Sequence, residues 1–373
     1  MVFFGKTLLF LSTLLLPAWL GAASGRPARD RDPGPLTPET RIPLVTVARV
    51  FGFSRVTEDD RTLELSGRLH TLRLEKGGRR ALLNGLVIWL QQPVLMHEGR
   101  WTLAQVDVAT TLGPVLNPLT ELRGLGDRIV VLDPGHGGSD PGAIAANGLT
   151  EKEVCLDISL RVRRHLQAAG YTVFLTRHQD QFLSLEERTR RARTWQADVF
   201  VSIHANSSSN TAAAGVETFA LAVPGQASTN HFGQAAPSQI VHPGNRFDPA
   251  NMALAFALQQ HLVEAVNPTD RGVRRARFSV LRDAPAPAAL VEVGFLSNPQ
   301  EAALLGQAAH RERIALAIAR GIQGMGAGGL LALALTIIGD IVALKDRAKF
   351  QGYFMSVFGI SSVLGPLIGG AFA

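Results

Sequence analysis

A short apolar run that leads into a glycine-rich loop bearing a histidine constrains the fold of this chain most. Residues 129–132 are apolar and mostly β-branched, which predicts a buried parallel strand. Gly135, Gly137 and Gly138 let the backbone turn sharply and present His136 at the carboxyl end of that strand. Open α/β sheets bind ligands at this edge, so the sequence predicts an α/β fold with a site there.

Two further side chains are expected at the same edge, each from a separate element. Thr150 and Glu153 have the spacing of a capping box, so a helix should begin there with Glu151 in its first turn. Residues 198–203 predict another buried strand, and His204 follows at its end. The three potential ligands therefore converge at one rim of the sheet.

Two imidazoles and one carboxylate form a ligand set that a hydrolytic zinc ion uses while one position stays open for water. We therefore predict that His136, Glu151 and His204 bind zinc. Taken singly, each residue also fits a structural role, as a turn, a helix cap or a hydrogen-bonded core histidine. Their combination in this order favours the metal site.

A fourth group is predicted in the apolar strand at residues 288–293. Burying Glu292 among aliphatic neighbours would be costly without a partner or a task. We assign Glu292 as the general base, which takes a proton from the water that attacks a carbonyl and hands it to the leaving nitrogen.

Residues 127–322 resemble the zinc-dependent N-acetylmuramoyl-L-alanine amidases of the cell-wall hydrolase type. The resemblance rests on D-P-G-H-G-G, T-E-K-E, S-I-H-A-N, G-V-E-T-F, D-R-G-V, V-L-R and L-V-E-V-G-F-L-S-N in this order. It implies the same zinc ligands and the same catalytic Glu292. The implied substrate is peptidoglycan, cut at the amide between N-acetylmuramic acid and the L-alanine of the stem peptide. By motif, Asn206 and Arg271 lie near the site and are candidate substrate contacts.

Other functions stay open from the sequence. A zinc peptidase that cuts within the stem peptide would use the same chemistry, and a catalytically idle wall-binding regulator could share the fold. A membrane transport protein is disfavoured because the apolar tail is too short. His231 and His242 fit a loop over the cleft better than a metal site, and Cys155 fits a packed helix position better than a nucleophile.

The catalytic part is predicted as a mostly parallel six-stranded sheet flanked by helices. Strands are expected near 129–133, 171–176, 198–204, 215–221, 278–282 and 288–293, and helices near 151–168, 184–196, 251–266 and 308–321.

The amino-terminal residues indicate export. Residues 1–23 carry one early lysine, an apolar stretch and small residues at the end, as a signal peptide does. Residues 24–40 mix Arg, Asp, Pro and Gly and predict a linker. The expected location is the periplasm or the cell wall.

Residues 41–116 predict a small β-rich envelope module. Short apolar or alternating runs are broken by glycines, and Asn84-Gly85 is a hairpin signal. The pattern resembles the copper-amine-oxidase N-terminal-like modules of bacterial envelope proteins. A wall-binding or positioning role and a plain spacer are both compatible with it.

The net charge of +6 suits an anionic environment. Seven arginines on the first two catalytic helices contribute to it, either as a solvated face or as a contact for anionic envelope polymers: Arg161, Arg163, Arg164, Arg188, Arg190, Arg191 and Arg193. No aromatic interleaving points to nucleic acid.

Residues 323–373 do not fit the catalytic pattern. Two apolar runs flank the charged turn at residues 345–349 and predict two candidate membrane helices. They resemble neighbouring helices of major-facilitator drug/proton antiporters, and they predict membrane association at the carboxyl terminus. A gene fusion and a join between unrelated reading frames would both explain such a fragment.

Overall fold

The structure is a computed structural model that describes residues 40–117, 129–229, 237–341 and Tyr353. These residues form fourteen strands and nine α-helices. The strands are β1 Arg41–Pro43, β2 Phe53–Glu58, β3 Thr62–Gly67, β4 Thr71–Glu75, β5 Arg80–Leu83, β6 Leu86–Trp89, β7 Leu95–His97, β8 Arg100–Ala104, β9 Ile129–Pro134, β10 Thr172–Leu175, β11 Val199–Asn206, β12 Val216–Leu221, β13 Asp270–Ala276 and β14 Ala288–Phe295. The helices are α1 Leu44–Val50, α2 Gln105–Asp107, α3 Gly113–Leu116, α4 Glu151–Ala168, α5 Leu185–Thr194, α6 Asp248–Val266, α7 Ser279–Arg282, α8 Pro299–Leu305 and α9 Ala308–Ile341.

One sheet of eleven strands organises the molecule, in the order β10-β9-β11-β14-β12-β13-β6-β5-β4-β3-β2. The first four strands run parallel, β12 is antiparallel to β14, and β13 is again parallel to β12. The strands from β6 to β2 form antiparallel hairpins. The α/β class is confirmed. The catalytic part contributes six strands, β9 to β14, with four parallel pairings and one antiparallel pairing, so the sheet is mixed, and it continues beyond these six strands into β6 to β2.

One predicted strand is a helix, and one strand was missed. Residues 278–282 are expected to form a strand, and three of them, Phe278, Val280 and Leu281, are apolar, yet Ser279–Arg282 forms the short helix α7. The sixth catalytic strand is instead β13, whose sequence D-R-G-V-R-R-A is too polar to predict a buried strand. Its burial is possible because its arginines are held in ion pairs and hydrogen bonds inside the protein.

Local turn and cap signals form as the sequence predicts. The backbone N–H and the hydroxyl of Thr150 both donate to Glu153 Oε2, at 3.2 and 2.7 Å, at the start of α4. Ser184 Oγ accepts from the backbone N–H of Glu187 at 3.1 Å at the start of α5. Side chains that satisfy the free N–H groups of a first turn fix where a helix begins, and so fix Glu151 near the sheet edge.

Helices cover both faces of the catalytic sheet. Helices α4, α6 and α9 pack on one face, with Val154, Leu258 and Ile318 fully buried. Helices α5 and α7 lie on the other face, where Ala192, Phe200 and Leu281 belong to a second apolar cluster. A sheet covered on both sides explains why its central strands read as continuous apolar runs.

Several arginines of the first two catalytic helices are paired within the protein. Arg161 and Arg164 both contact the carboxylate of Glu312 on α9, at 2.6 and 2.7 Å. Arg190 and Arg191 both contact Glu187 within their own helix, at 2.7 and 2.8 Å. The pairs with Glu312 join α4 to α9, whereas those with Glu187 stay within α5. The arginine excess is therefore not simply a free cationic surface.

The amino-terminal strands join the catalytic sheet at a close backbone approach between β6 and β13. Val273 pairs with Ile88, and the backbone N–H of Val87 donates to Asp270 Oδ2 at 2.7 Å. Gly272 has φ +88°, and a Cβ there would lie 2.5 Å from Val87 Cγ1 and 2.7 Å from the Val87 carbonyl oxygen. Only glycine permits this contact.

The two ends of the chain lie mostly outside the described residues, including the predicted signal peptide, most of the predicted linker and the second apolar run. The first apolar run is not a separate helix, since α9 continues through it from Ala308 to Ile341. Among the residues described, no helix combines the length and apolar character needed to cross a membrane. The prediction of two membrane helices is therefore not supported.

We predict that Gly272→Ala separates the two parts of the sheet. The substitution should lower the free energy of unfolding by about 3 kcal/mol, through backbone strain and the clash with Val87. Gly77→Ala is the matched control, because Gly77 has a similar φ of +73° but open space around a Cβ, and it should lose only about 1 kcal/mol. Urea unfolding measures both, and equal losses would contradict the importance of this contact.

Candidate metal centre

The loop after β9 holds His136 in an unusual backbone conformation. His136 has a backbone φ of +58°, a region that residues other than glycine rarely adopt. Its Nδ1 lies 2.8 Å from Asp140 Oδ2, which orients the ring and leaves Nε2 toward Glu151. The structure therefore places His136 at the strand end, as the sequence predicts.

His136, Glu151 and His204 come together as the one group of three or more His, Cys, Asp or Glu residues that could hold a metal ion within the described ranges. Glu151 Oε1 lies 3.1 Å from His136 Nε2 and 2.9 Å from His204 Nδ1, and the donor atoms all lie within 4.8 Å of one another. Two imidazole nitrogens and one carboxylate oxygen are suited to zinc. The residues fit the ion.

Glu151 is nearly buried and its orientation is fixed. Its Oε2 accepts from the backbone N–H of Ala143 at 2.9 Å, and Oε1 accepts from that of Ala205 at 3.2 Å. Burial works to raise the pKa of Glu151, but hydrogen bonds from both histidines outweigh it and hold the pKa well below its usual range. Glu151 is therefore a carboxylate at neutral pH, as a metal ligand must be.

Close packing positions the second histidine. A Cβ on Gly135 would lie 2.4 to 2.7 Å from ring atoms of His204, so the β9 loop can pass the imidazole only with glycine at this position. The two imidazoles meet edge to face with centroids 5.1 Å apart. The glycine-rich motif thus makes room for the site as well as turning the chain.

Glu292 lies beside this cluster on β14. It is in register with His204 on the neighbouring parallel strand, so both side chains project from the same face of the sheet. Its Oε2 is buried without a hydrogen-bond partner among the described residues. Burial, followed by the charges of Glu151 and Glu217, raises the pKa of Glu292 well above its usual value. A buried oxygen of this kind is suited to exchanging a proton with a bound reactant.

The two candidate substrate contacts are both tied to Glu217. The side-chain amide of Asn206 donates to Glu217 Oε1 at 2.7 Å, and Arg271 Nε lies 3.3 Å from Glu217 Oε2. Both side chains remain partly exposed. Sequence reasoning missed Glu217, although it is a glutamate in an apolar strand, the same signal that identified Glu292.

A buried ion pair supports the His136 loop and was also missed. Arg188 Nη1 lies 2.8 Å from Asp133 Oδ1 and donates to the Pro134 carbonyl at 2.7 Å, while Nη2 donates to the His136 carbonyl at 2.8 Å. Arg188 belongs neither to a solvated face nor to a contact surface for anionic polymers, the two roles that the sequence predicts for it, because its side chain is only 4% exposed. The pair fixes the carbonyls on both sides of the glycine before His136.

The remaining candidates that the structure describes, His242 and Cys155, do not belong to the donor cluster. His242 precedes the 3₁₀ turn Pro243–Phe247 and His231 lies outside the described residues. Cys155 is fully buried on α4, where burial, then the charges of Glu151 and Glu292, raises the pKa of its thiol. A thiol in this environment is a packing residue, as the sequence predicts.

Comparisons with known proteins agree on one family for the catalytic part. The model of the N-acetylmuramoyl-L-alanine amidase family matches residues 130–324. The N-acetylmuramoyl-L-alanine amidase AmiA of Escherichia coli (strain K12) is 37% identical over 218 residues, covering 53% of this chain and 75% of AmiA. AmiC of Neisseria meningitidis serogroup B is 37% identical over 215 residues, covering 52% of each chain, so this chain spans about half of AmiC.

A solved structure and a second family also match. The catalytic domain of CwlV, an amidase from Bacillus (Paenibacillus) polymyxa, is 35% identical with a TM-score of 0.46, covering 54% of this chain and 98% of that domain. The model of the Major Facilitator Superfamily matches residues 302–373, overlapping the end of the first match. Within that match the structure describes residues 302–341 and Tyr353, and the others lie outside the described residues.

We predict that Arg188→Met destabilises the protein and weakens divalent-cation binding. Removing one partner of a buried pair leaves Asp133 uncompensated and should cost about 3–5 kcal/mol of unfolding free energy. Arg190→Met on the same helix is the control, since Arg190 is exposed and pairs only with Glu187. Urea unfolding and competition titration with zinc measure both effects, and indistinguishable variants would contradict the role of the pair.

Proposed function

The chain belongs to the N-acetylmuramoyl-L-alanine amidase family, and on that premise we propose that it hydrolyses peptidoglycan with a zinc ion held by His136, Glu151 and His204. The bond cut is the amide between N-acetylmuramic acid and the L-alanine of the stem peptide. The observation that carries the proposal is the convergence of three donor atoms within 4.8 Å, with the buried Glu292 in register beside them.

A zinc ion held by His136, Glu151 and His204 would supply Lewis-acid chemistry at the scissile carbonyl and would make a water more acidic. Glu151 contributes the negative charge of the ligand set, and its two backbone hydrogen bonds keep that charge in place. Asp140 holds the His136 ring so that Nε2 faces the donor cluster. These contacts prepare the site before substrate arrives.

Glu292 acts as the proton carrier in this proposal. Its free Oε2 takes a proton from the attacking water and delivers it to the leaving nitrogen, so that the L-alanine amine departs neutral. Burial favours the first step, because a buried carboxylate binds a proton more tightly than an exposed one. The second step relies on the basicity of the leaving nitrogen, which accepts the proton as the amide bond breaks.

Asn206 and Arg271 are proposed as substrate contacts at the rim. Each has polar hydrogens left over after its contact with Glu217, and Arg271 also lies 4.7 Å from the centre of the Phe295 ring. Such groups suit the carbonyl and carboxylate oxygens of a stem peptide.

The substrate fixes where the protein works. Peptidoglycan lies outside the inner membrane, so we propose export to the periplasm or the cell wall, in agreement with the predicted signal peptide at residues 1–23. The proposed division places the envelope module at 41–116, the catalytic domain at 127–322 and the transporter-like tail at 323–373. Attachment to anionic envelope polymers stays a prediction.

We predict that activity depends on the metal. A chelator should abolish hydrolysis of purified muropeptides and zinc should restore it, with mass spectrometry detecting stem peptides that carry a free L-alanine amine. His204→Ala should lose both zinc and activity, whereas His242→Ala should keep both. Cuts within the stem peptide would identify a peptidase, and full activity in a metal-free preparation would overturn the zinc mechanism.

We predict that Glu292→Gln keeps its zinc but loses activity. The amide side chain has a similar shape but cannot take up the proton, so the rate should fall on the order of 10²-fold or more. Zinc content by metal analysis and kcat on a muropeptide are the two measurements. Glu264→Gln, an exposed position on α6, is the control. Loss of zinc in Glu292→Gln would recast Glu292 as a ligand.

A further inference from the structure

The amino-terminal segment reaches the neighbourhood of the site through one tryptophan. Trp89, at the end of β6, donates its indole N–H to the backbone carbonyl of Arg271 at 2.8 Å. The guanidinium carbon of Arg274 lies 4.3 Å from the centre of the same indole ring. The tryptophan therefore holds β13 at two residues, by a hydrogen bond and by a cation–π contact.

Arg274 contacts Glu217 as well as Trp89. The residue paired with Glu217 on β13 is Gly272, which has no side chain to meet the carboxylate. Arg274 is the partner instead, with its Nε 2.9 Å from Glu217 Oε2. The side chains of Arg274 and Glu217 are only 7% and 6% exposed. A buried carboxylate needs such a partner, because its charge has left water.

Glu217 in turn lies next to two residues of the catalytic centre, Glu292 and Asn206. It lies directly opposite Glu292 in the antiparallel pair of β12 and β14. It also accepts from the amide of Asn206, which follows His204 by two residues on β11. Two carboxylates at directly opposed positions repel each other. The position of Glu217, and the neutralisation of its charge by Arg274, therefore affect the position of Glu292.

We infer that Trp89 is a positioning residue for the amidase reaction, contributed by the amino-terminal segment. It fixes Arg274, which fixes Glu217 beside Glu292 and Asn206. The segment is then a working part of the catalytic unit rather than a spacer. This inference rests on the proposed function for its kinetic consequence, but the coupling between Trp89 and Glu217 is a property of the fold and can be measured without activity.

The kinetic test compares three variants of the full chain loaded with zinc. Trp89→Ala should lower kcat on a muropeptide roughly fivefold to tenfold, the scale of a lost cation–π contact at a buried site, with zinc affinity unchanged. Trp89→Phe keeps a ring over Arg274 and should retain at least about half of kcat. Trp101→Ala is the matched control, because Trp101 is a buried tryptophan of β8 in the separate three-stranded sheet.

A kcat for Trp89→Ala within about twofold of wild type, or an equal loss in Trp101→Ala, would overturn the inference. Should Trp89→Ala not fold, Trp89→Leu replaces it, since leucine keeps apolar volume without an aromatic face or an N–H donor. The same kcat limits then apply to it.

The second test needs no activity. Urea unfolding of the metal-free protein is measured for Trp89→Leu, which removes the aromatic ring, for Glu217→Gln and for the double variant, and again with Trp101→Leu in place of Trp89→Leu. The effects of Trp89→Leu and Glu217→Gln should be non-additive, whereas those of Trp101→Leu and Glu217→Gln should add. Additive effects in both cycles would overturn the inference. If the variants show this coupling but the wild-type chain cuts no muropeptide, only the proposed function is overturned.

Discussion

Three carboxylates, Glu151, Glu217 and Glu292, are crowded at one end of the central sheet, and the balance of their charge governs the arrangement around them. Glu151 is met by two histidines and fits a metal ion. Glu217 is met by Arg274, Arg271 and the amide of Asn206. Glu292 is left without a polar partner for Oε2 within the described structure, and its pKa is raised. The group without a counter-charge is the one assigned to carry a proton, because it alone gains from binding one.

Four buried arginines serve as internal scaffolding, among them Arg188 and Arg275. Arg188 pairs with buried Asp133 and holds the carbonyls around the His136 loop, and Arg275 pairs with Asp248 at 2.5 Å while fully buried. A guanidinium suits these places because its planar fork can bind a carboxylate and several backbone carbonyls together. The basic composition of the chain therefore reflects, in part, how a polar strand such as β13 is kept in the core.

The shared sheet changes how the amino-terminal segment is understood. Its hairpins β2 to β6 do not stand apart on a tether but extend the catalytic sheet through β13. Of the two roles that the sequence left open, this packing favours positioning over a plain spacer. The resemblance to copper-amine-oxidase N-terminal-like modules is not supported by the comparisons, and wall binding stays a prediction.

The sequence by itself determined the features that depend on neighbours along the chain. The capping box at Thr150, the apolar strands before His136 and His204, and the isolated Glu292 in an apolar run were enough to predict the α/β class and the four central residues, because period and capping are local. Only the tertiary structure decided which polar residues are buried. The contacts of Glu217, Arg274, Arg188 and Trp89 carry no local signal, since their partners lie at a distance in sequence, the nearest being Asn206, 11 residues before Glu217. Pairing across a sheet or between two segments cannot be read from spacing. The same reason accounts for the missed strand β13: its charges are compatible with burial only once their distant partners are in place.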